Sequence, residues 1–245
     1  MKIRRIAHRG FSSEAPENSR AAFAMAVEGD FYGVECDVWR CRDGTYVVSH
    51  DGQLKRMCGV ERWIPNMLWE EVCHYPFIQG QKISCHPMQY PIRLAEYLSI
   101  LRRSDTMCPV IELKMDYTTV ELREIVDLVE KYDLLERCCF ISLHPMVLLR
   151  LKQEFHFPSE RLQYVYGAIA LNRDIPVDEE LMRWLAANRI NLDARYTLVS
   201  AESVRWLHNE GLEVNVWTVN DREQTRRMVQ EIQVDMVTTE FYHEI

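Results

Sequence analysis

The sequence predicts an α/β fold: a single TIM (β/α)8 barrel with a small insertion after the second strand. Three observations carry this prediction. The chain is 245 residues long, about the length of one such barrel. Short Val- and Ile-rich runs alternate with helical patterns along nearly all of it, and the starts of successive runs lie mostly 22 to 30 residues apart, as in parallel βαβ units. There are eight such runs, and no Gly-x-Gly-x-x-Gly follows the first, which favours a closed barrel over a doubly wound sheet.

The expected strands are residues 3–7, 33–38, 110–114, 139–142, 161–165, 190–194, 213–218 and 235–239. Between them, helices are expected over 19–28, 92–102, 119–131, 145–153, 178–187, 200–210 and 221–230. The first helix has an apolar face of Ala22, Met25 and Ala26 and can end at Gly29. Residues 34–110 break the regular spacing. A hairpin signal, Arg42-Asp43-Gly44-Thr45, lies between Val38 and Val47. An irregular stretch over 53–91 follows, with Trp63, Pro65, Trp69, Pro76 and Pro87, and reads as an insertion in the loop after the second strand. The helix over 119–131 repeats Leu122, Ile125, Val126 and Val129 at helical spacing. Cys138 and Cys139 sit in an apolar stretch and read as buried strand thiols. Ser200 and Asp221 can cap the last two helices, and Gly211 can close the first of these. No linker-like stretch appears, so one domain over 1–245 is expected.

Composition narrows the function. Hydrophobic residues make up 47% and charged residues 27%, enough for a sizeable core. The formal charge of −8 argues against nucleic-acid binding, which needs a basic stripe. An anionic substrate would therefore need local positive charge or a bound cation. No apolar run is long enough for a membrane span, and the N-terminal residues lack the apolar region of a signal peptide; the expected compartment is the cytoplasm. The eight cysteines show no zinc-site spacing. Nothing in the sequence sets an oligomeric state.

In such barrels, chemistry sits at the carboxyl ends of the strands. Those ends carry His8-Arg9, Glu35-Cys36-Asp37, His50-Asp51 on the hairpin's return, Glu112-Leu113-Lys114, Trp217-Thr218 and Thr239-Glu240. Period-two alternation puts Glu35 and Asp37 on one face, opposite Val34 and Cys36, and Glu112 shares a face with Lys114. If the apolar set faces the helices, the charges line the barrel mouth. Three inward carboxylates cost several kcal/mol unless paired or metal-bound. Glu35, Asp37 and Glu112 form an all-oxygen set suited to Mg²⁺ or Ca²⁺; ion pairing with Arg9 and Lys114 is the alternative. His8 and His50 stand at one mouth beside these carboxylates, placed for acid–base work. His74, His86, His144, His156, His208 and His243 read as surface or core. Asp51 either orients His50 or merely starts a turn with Gly52.

The segments Ala7-His8-Arg9-Gly10, Ala15-Pro16-Glu17-Asn18-Ser19, Glu35-Cys36-Asp37-Val38, Val47-Val48-Ser49-His50-Asp51, Ile111-Glu112-Leu113-Lys114, Trp217-Thr218-Val219-Asn220 and Thr239-Glu240 together resemble the glycerophosphodiester phosphodiesterase family, in family order and over nearly the whole chain. The resemblance implies a TIM barrel in which Glu35, Asp37 and Glu112 bind one divalent cation and His8 and His50 are the acid–base pair. It also implies that Arg9 and Lys114 hold the phosphate, that Glu17 stands at the metal or Arg9 side of the site, and that Trp217 packs on the glycerol group. Three positions depart from the family pattern: Ser19 stands in place of Thr, Glu240 in place of Asp, and Tyr242 where Pro is frequent.

The expected function is metal-dependent hydrolysis of a small-molecule glycerophosphodiester to an alcohol and sn-glycerol 3-phosphate. Two alternatives stand beside it. One is a related barrel acting on a lysophospholipid or sugar phosphodiester, and the other is a catalytically silent ligand-binding barrel. Against the silent barrel, every polar residue the chemistry needs is intact.

Overall fold

A computed structural model describes residues 3–167 and 175–242. Its strands are β1 (Arg4–Ala7), β2 (Gly33–Arg40), β3 (Tyr46–Val48), β4 (Ile92–Arg93), β5 (Cys108–Leu113), β6 (Cys139–Ser142), β7 (Leu162–Tyr166), β8 (Asn191–Arg195), β9 (Val214–Trp217) and β10 (Met236–Thr239). Eight of them are parallel neighbours in the order β1, β10, β9, β8, β7, β6, β5, β2, and β1 also pairs with β2, so the sheet closes on itself. This is the expected TIM barrel.

The helices between the strands are α1 (Arg20–Glu28), α2 (Lys55–Cys58), α3 (Trp69–Val72), α4 (Leu94–Leu101), α5 (Thr119–Lys131), α6 (Pro145–Phe155), α7 (Glu179–Asn188), α8 (Ala201–Asn209) and α9 (Arg222–Arg227). Their starts follow local chemistry. Ser19 Oγ accepts from the Ala22 amide, Thr118 and Glu121 form a reciprocal cap, and Ser200 and Asp221 cap α8 and α9. α5 buries Leu122, Ile125, Val126 and Val129 against the barrel, each contributing about 1.5–3 kcal/mol.

Two segments differ from expectation in kind, and other ends shift by one or two residues. Ile92–Arg93 pairs with β3 as a short strand, so the helix expected over 92–102 starts at Leu94. Buried Ile92 has the same apolar signature in either state, and period alone does not separate them. The last helix changes after Arg227 into a π turn over Met228–Ile232.

Alternation along the strands sorts the core. Val34, Cys36, Val38, Ile111 and Leu113 face the helices, while Ile6, Val110, Ile141, Val165 and Met236 fill the barrel. β2 runs beyond the barrel rim and turns through the predicted hairpin, with Val38 opposite Val48 and Arg40 opposite Tyr46. The stretch after it builds its own small core from Leu54, Met57, Ile64, Met67, Val72 and Phe77. It thereby forms a side wall over the mouth. Among the described residues no helix is long and apolar enough to cross a membrane.

Candidate active site

The mouth of the barrel opens into a cavity of about 700 Å³ whose lining includes His8, Arg9, Glu35, His50, Glu112, Lys114 and Trp217, seven of the residues the sequence singled out. Asp37 lies directly behind it, and Glu17 stands to one side, bonded to Arg9.

The centre is acidic. Glu35, Asp37 and Glu112 are 3%, 1% and 9% exposed, and one carboxylate oxygen from each lies within 4.8 Å of the others. Asp37 and Glu112 are register partners on adjacent strands, with Glu35 two residues before Asp37 on the same face. The ion pairing raised as an alternative to a metal is present. Lys114 Nζ lies 3.2 Å from Asp37 Oδ1 and 2.9 Å from Glu112 Oε1, and Arg9 Nε lies 3.7 Å from Asp37 Oδ2. Asn18 Nδ2 donates to Asp37 Oδ2 at 2.8 Å. Burial pushes the Asp37 carboxyl up, but Lys114, His50 and Arg9 overcome it and hold the group well below the usual range.

Glu35 is different. Its Oε2 accepts the Arg9 main-chain amide at 2.8 Å, but its buried Oε1 has no partner. Burial, then repulsion from Asp37 and Glu112, raises its pKa well above the usual value. Two cations cannot compensate three buried carboxylates, and an oxygen-preferring divalent ion fits the remainder. The residues present therefore fit such an ion.

The His8 side chain is 13% exposed, and desolvation, then Arg9, push its pKa below the ordinary histidine value. Its Nδ1 faces Glu240 Oε1 at 3.5 Å, and Glu240 is fixed by Asn220, whose Nδ2 donates to Oε2 at 3.0 Å. His50 is half-exposed, and its Nδ1 lies 2.8 Å from Asp51 Oδ1. Asp51 is therefore an orienting carboxylate and not only the start of a turn.

Backbone strain shapes the entrance. Arg9 and Asn18 have φ of 56° and 53°, an uncommon region for such residues. Gly10 (φ 82°) lies so close to α1 that a Cβ would come within 2.7 Å of the Ala22 carbonyl carbon. Only glycine lets the chain turn there and aim Arg9 inward.

Four residues beyond the predicted set belong here. Asn18 bonds Asp37, as above. Arg56 bridges Glu17 and Asp51, with NH2 2.7 Å from Glu17 Oε1 and Nε 2.6 Å from Asp51 Oδ2. Glu17 also accepts from Arg9 NH1 at 3.0 Å, so its place is on the arginine side of the site and outside the acidic triad. Asp193, 2% exposed, also lines the cavity. His144, expected at the surface or in the core, lines the cavity with Nε2 3.3 Å from the Lys114 carbonyl; it sits in the loop after β6, a strand end carrying no other signal. Of the insertion's aromatics Trp63, Trp69, Tyr75 and Phe77, Trp63 lines the cavity and the others pack within the insertion. Trp39 joins Trp63 because Gly52 leaves room for its ring. His74 and His156 are exposed, His86 Nε2 bonds the Glu14 carbonyl at 2.7 Å and His208 pairs with Asp235. His243 lies outside the described residues.

Comparison with known proteins agrees with this geometry. The family model described as the glycerophosphoryl diester phosphodiesterase family matches residues 8–244. The chain is 26% identical over 231 residues to glycerophosphodiester phosphodiesterase domain-containing protein 5 of Gallus gallus, covering 88% of this chain but only 38% of that longer protein. It is 24% identical over 239 residues to a glycerophosphodiester phosphodiesterase of Bacillus altitudinis, covering 96% of this chain and 94% of the relative. Among solved structures, an Oleispira antarctica phosphodiesterase in complex with the product sn-glycerol-3-phosphate superposes with a TM-score of 0.82 at 22% identity, over 97% of this chain and 92% of that one; at that identity the likeness shows the fold. With the family model matched from His8 almost to its last residue, the chain belongs to the glycerophosphoryl diester phosphodiesterase family of enzymes.

Proposed function

We propose that this chain hydrolyses glycerophosphodiesters to an alcohol and sn-glycerol 3-phosphate, using one divalent cation, Mg²⁺ or Ca²⁺, held by Glu35, Asp37 and Glu112. The observation that carries the reading is the buried triad, with its unpartnered Glu35 oxygen, in one cavity with His8 and His50. The relatives' names support the same substrate class, and so does the product bound to the Oleispira antarctica enzyme. When bound, the cation supplies a Lewis acid for a non-bridging phosphate oxygen.

The chain's own groups do the rest. Arg9 and Lys114 bind the phosphate from the rim of the triad and balance charge that builds there in the transition state. His8, its pKa lowered by burial, accepts through Nε2 the proton of the attacking oxygen, either of water or of the glycerol 2-hydroxyl; in the second case water then opens the cyclic phosphate to sn-glycerol 3-phosphate. His50, oriented by Asp51, donates from Nε2 to the departing alkoxide. Asp51 and Arg56 act through His50, and Glu17 acts through Arg9. Trp217 forms an apolar wall for the glycerol carbons. The alcohol lies toward Trp39 and Trp63 at the open side of the cavity, where shape selects weakly, so choline, ethanolamine and glycerol diesters are all accepted.

Residues 1–245 form one domain in this reading. The eight cysteines are free thiols, which suits a reducing compartment, and the cytoplasm is the proposed location. The test is phosphorus NMR of glycerophosphocholine treated with the purified protein and Mg²⁺ or Ca²⁺. The expected product is sn-glycerol 3-phosphate with free choline; phosphocholine, or no cleavage, contradicts the reading.

A further inference from the structure

We infer that Asp193 recognises a hydroxyl of the substrate's glycerol group and sets the preference for glycerol diesters over diesters lacking glycerol. This deepens the function proposed above and rests on it. On β8, Leu192 and Ala194 pack toward the helices, which turns Asp193 into the barrel. There it lines the same cavity as His8, Glu35 and Glu112, across the barrel from the β2–β5 edge that carries the triad.

Asp193 is 2% exposed, and its Oδ1 is buried with no hydrogen-bond partner. Its register partner Asn215 bonds the carboxyl and lowers its pKa, but by less than burial and Glu112 raise it. The Asn215 amide donates to Thr238 Oγ1 at 2.9 Å, and the Asn215 Oδ1 is also unpartnered. Burial, then the charge of Glu112, pushes the Asp193 carboxyl up. A buried carboxyl with one oxygen unpartnered costs stability in the ligand-free protein. Its natural partner is a group that arrives with the substrate.

Depth identifies that group. The insertion side of the cavity is open, with Trp63 52% exposed, and admits groups of varied size. Asp193, 2% exposed, lies away from that side and next to Trp217, whose Nε1 donates to the Asp193 carbonyl at 3.1 Å. Only the small, invariant end of the substrate reaches it, and that end carries hydroxyls. A carboxyl can accept from a hydroxyl when charged and donate to it when neutral, so recognition holds in either state. A site built to bond a hydroxyl discriminates strongly against analogues that lack it.

The experiment compares wild type, Asp193→Ala and Asp193→Asn on glycerophosphocholine, glycerophosphoethanolamine, glycerophosphoglycerol and bis(p-nitrophenyl) phosphate, together with the Tm of each ligand-free protein. Asp193→Ala is expected to raise KM for all three glycerol diesters roughly tenfold, and to leave kcat/KM for the nitrophenyl diester within about threefold. Asp193→Asn keeps a donor and an acceptor, and retains most of the glycerol preference. Neither variant should melt below wild type by more than about 2 °C, because the carboxyl makes few contacts that a smaller or neutral group would lose. An unchanged KM, an equal loss on the nitrophenyl diester, or a loss confined to the choline and ethanolamine substrates contradicts the assignment; the last would make Asp193 a cation site. Failure of both variants to fold contradicts it too. A wild-type enzyme that cleaves the nitrophenyl diester but no glycerol diester overturns the functional reading itself, which separates that failure from these.

Discussion

Nδ1 of His50 lies 2.8 Å from Oδ1 of Asp51, and the second oxygen of that carboxylate accepts from Arg56 Nε at 2.6 Å. The bond to His50, with Arg56 in support, holds the Asp51 pKa at about 2, so the carboxylate stays charged wherever the enzyme works. Because Arg56 also grips both oxygens of Glu17, and Glu17 grips Arg9, one chain of ion pairs joins Arg9, the proposed phosphate ligand, to His50, the proposed general acid. The insertion thus acts as a brace as well as a wall.

Breaking that brace should cost kcat more than KM. Arg56→Gln is expected to lower kcat by roughly 10- to 100-fold while metal affinity stays within about twofold. The double variant Arg56→Gln/Asp51→Asn should lose little more than the worse single one, as coupled residues do. Steady-state kinetics with a metal titration checks this; additive losses, or kcat within twofold of wild type, would count against the coupling.

His8→Ala and His50→Ala should each lose roughly 10²–10⁴-fold in kcat with metal content unchanged. His74→Ala and His86→Ala, at positions away from the cavity, are expected to stay near wild type. A near-normal kcat for either His8→Ala or His50→Ala would make that histidine structural.

Neutralising Glu35 separates stability from function. In Glu35→Gln the Arg9 amide keeps its acceptor, and repulsion from Asp37 and Glu112 disappears. The metal-free protein should melt a few degrees higher, by about 0.5–2 kcal/mol, while metal-induced stabilisation is lost. Thermal melts with and without Mg²⁺ or Ca²⁺ decide it. A Tm that falls, with the metal shift intact, would remove Glu35 from the ligand set.

If the indole forms the proposed wall for glycerol, Trp217→Ala should raise KM for choline, ethanolamine and glycerol diesters by one common factor. A lysophospholipid turned over faster than all of these would favour the alternative lipid substrate.

Much of this was legible in the chain. Strand periodicity placed Glu35, Asp37 and Glu112 on inward faces because one alternation rule governs every barrel strand. His8 and His50 were legible as strand-end histidines. Arg56 was not, because it lies in an irregular insertion whose fold no period encodes, and its partners are 39 and 5 residues away. Asp193 obeys the same inward rule as Glu35, yet a single acid flanked by Leu192 and Ala194 carries no pair to mark it. The strand at Ile92–Arg93 was hidden for a different reason: two residues are too few to show a period.

The metal is central to the proposed chemistry. The decisive measurement is release of sn-glycerol 3-phosphate from glycerophosphocholine by chelator-stripped protein, before and after titration with Mg²⁺ or Ca²⁺. No turnover above background is expected in excess chelator, with recovery that saturates at one ion per chain. Full turnover by protein shown to be free of metal would contradict this.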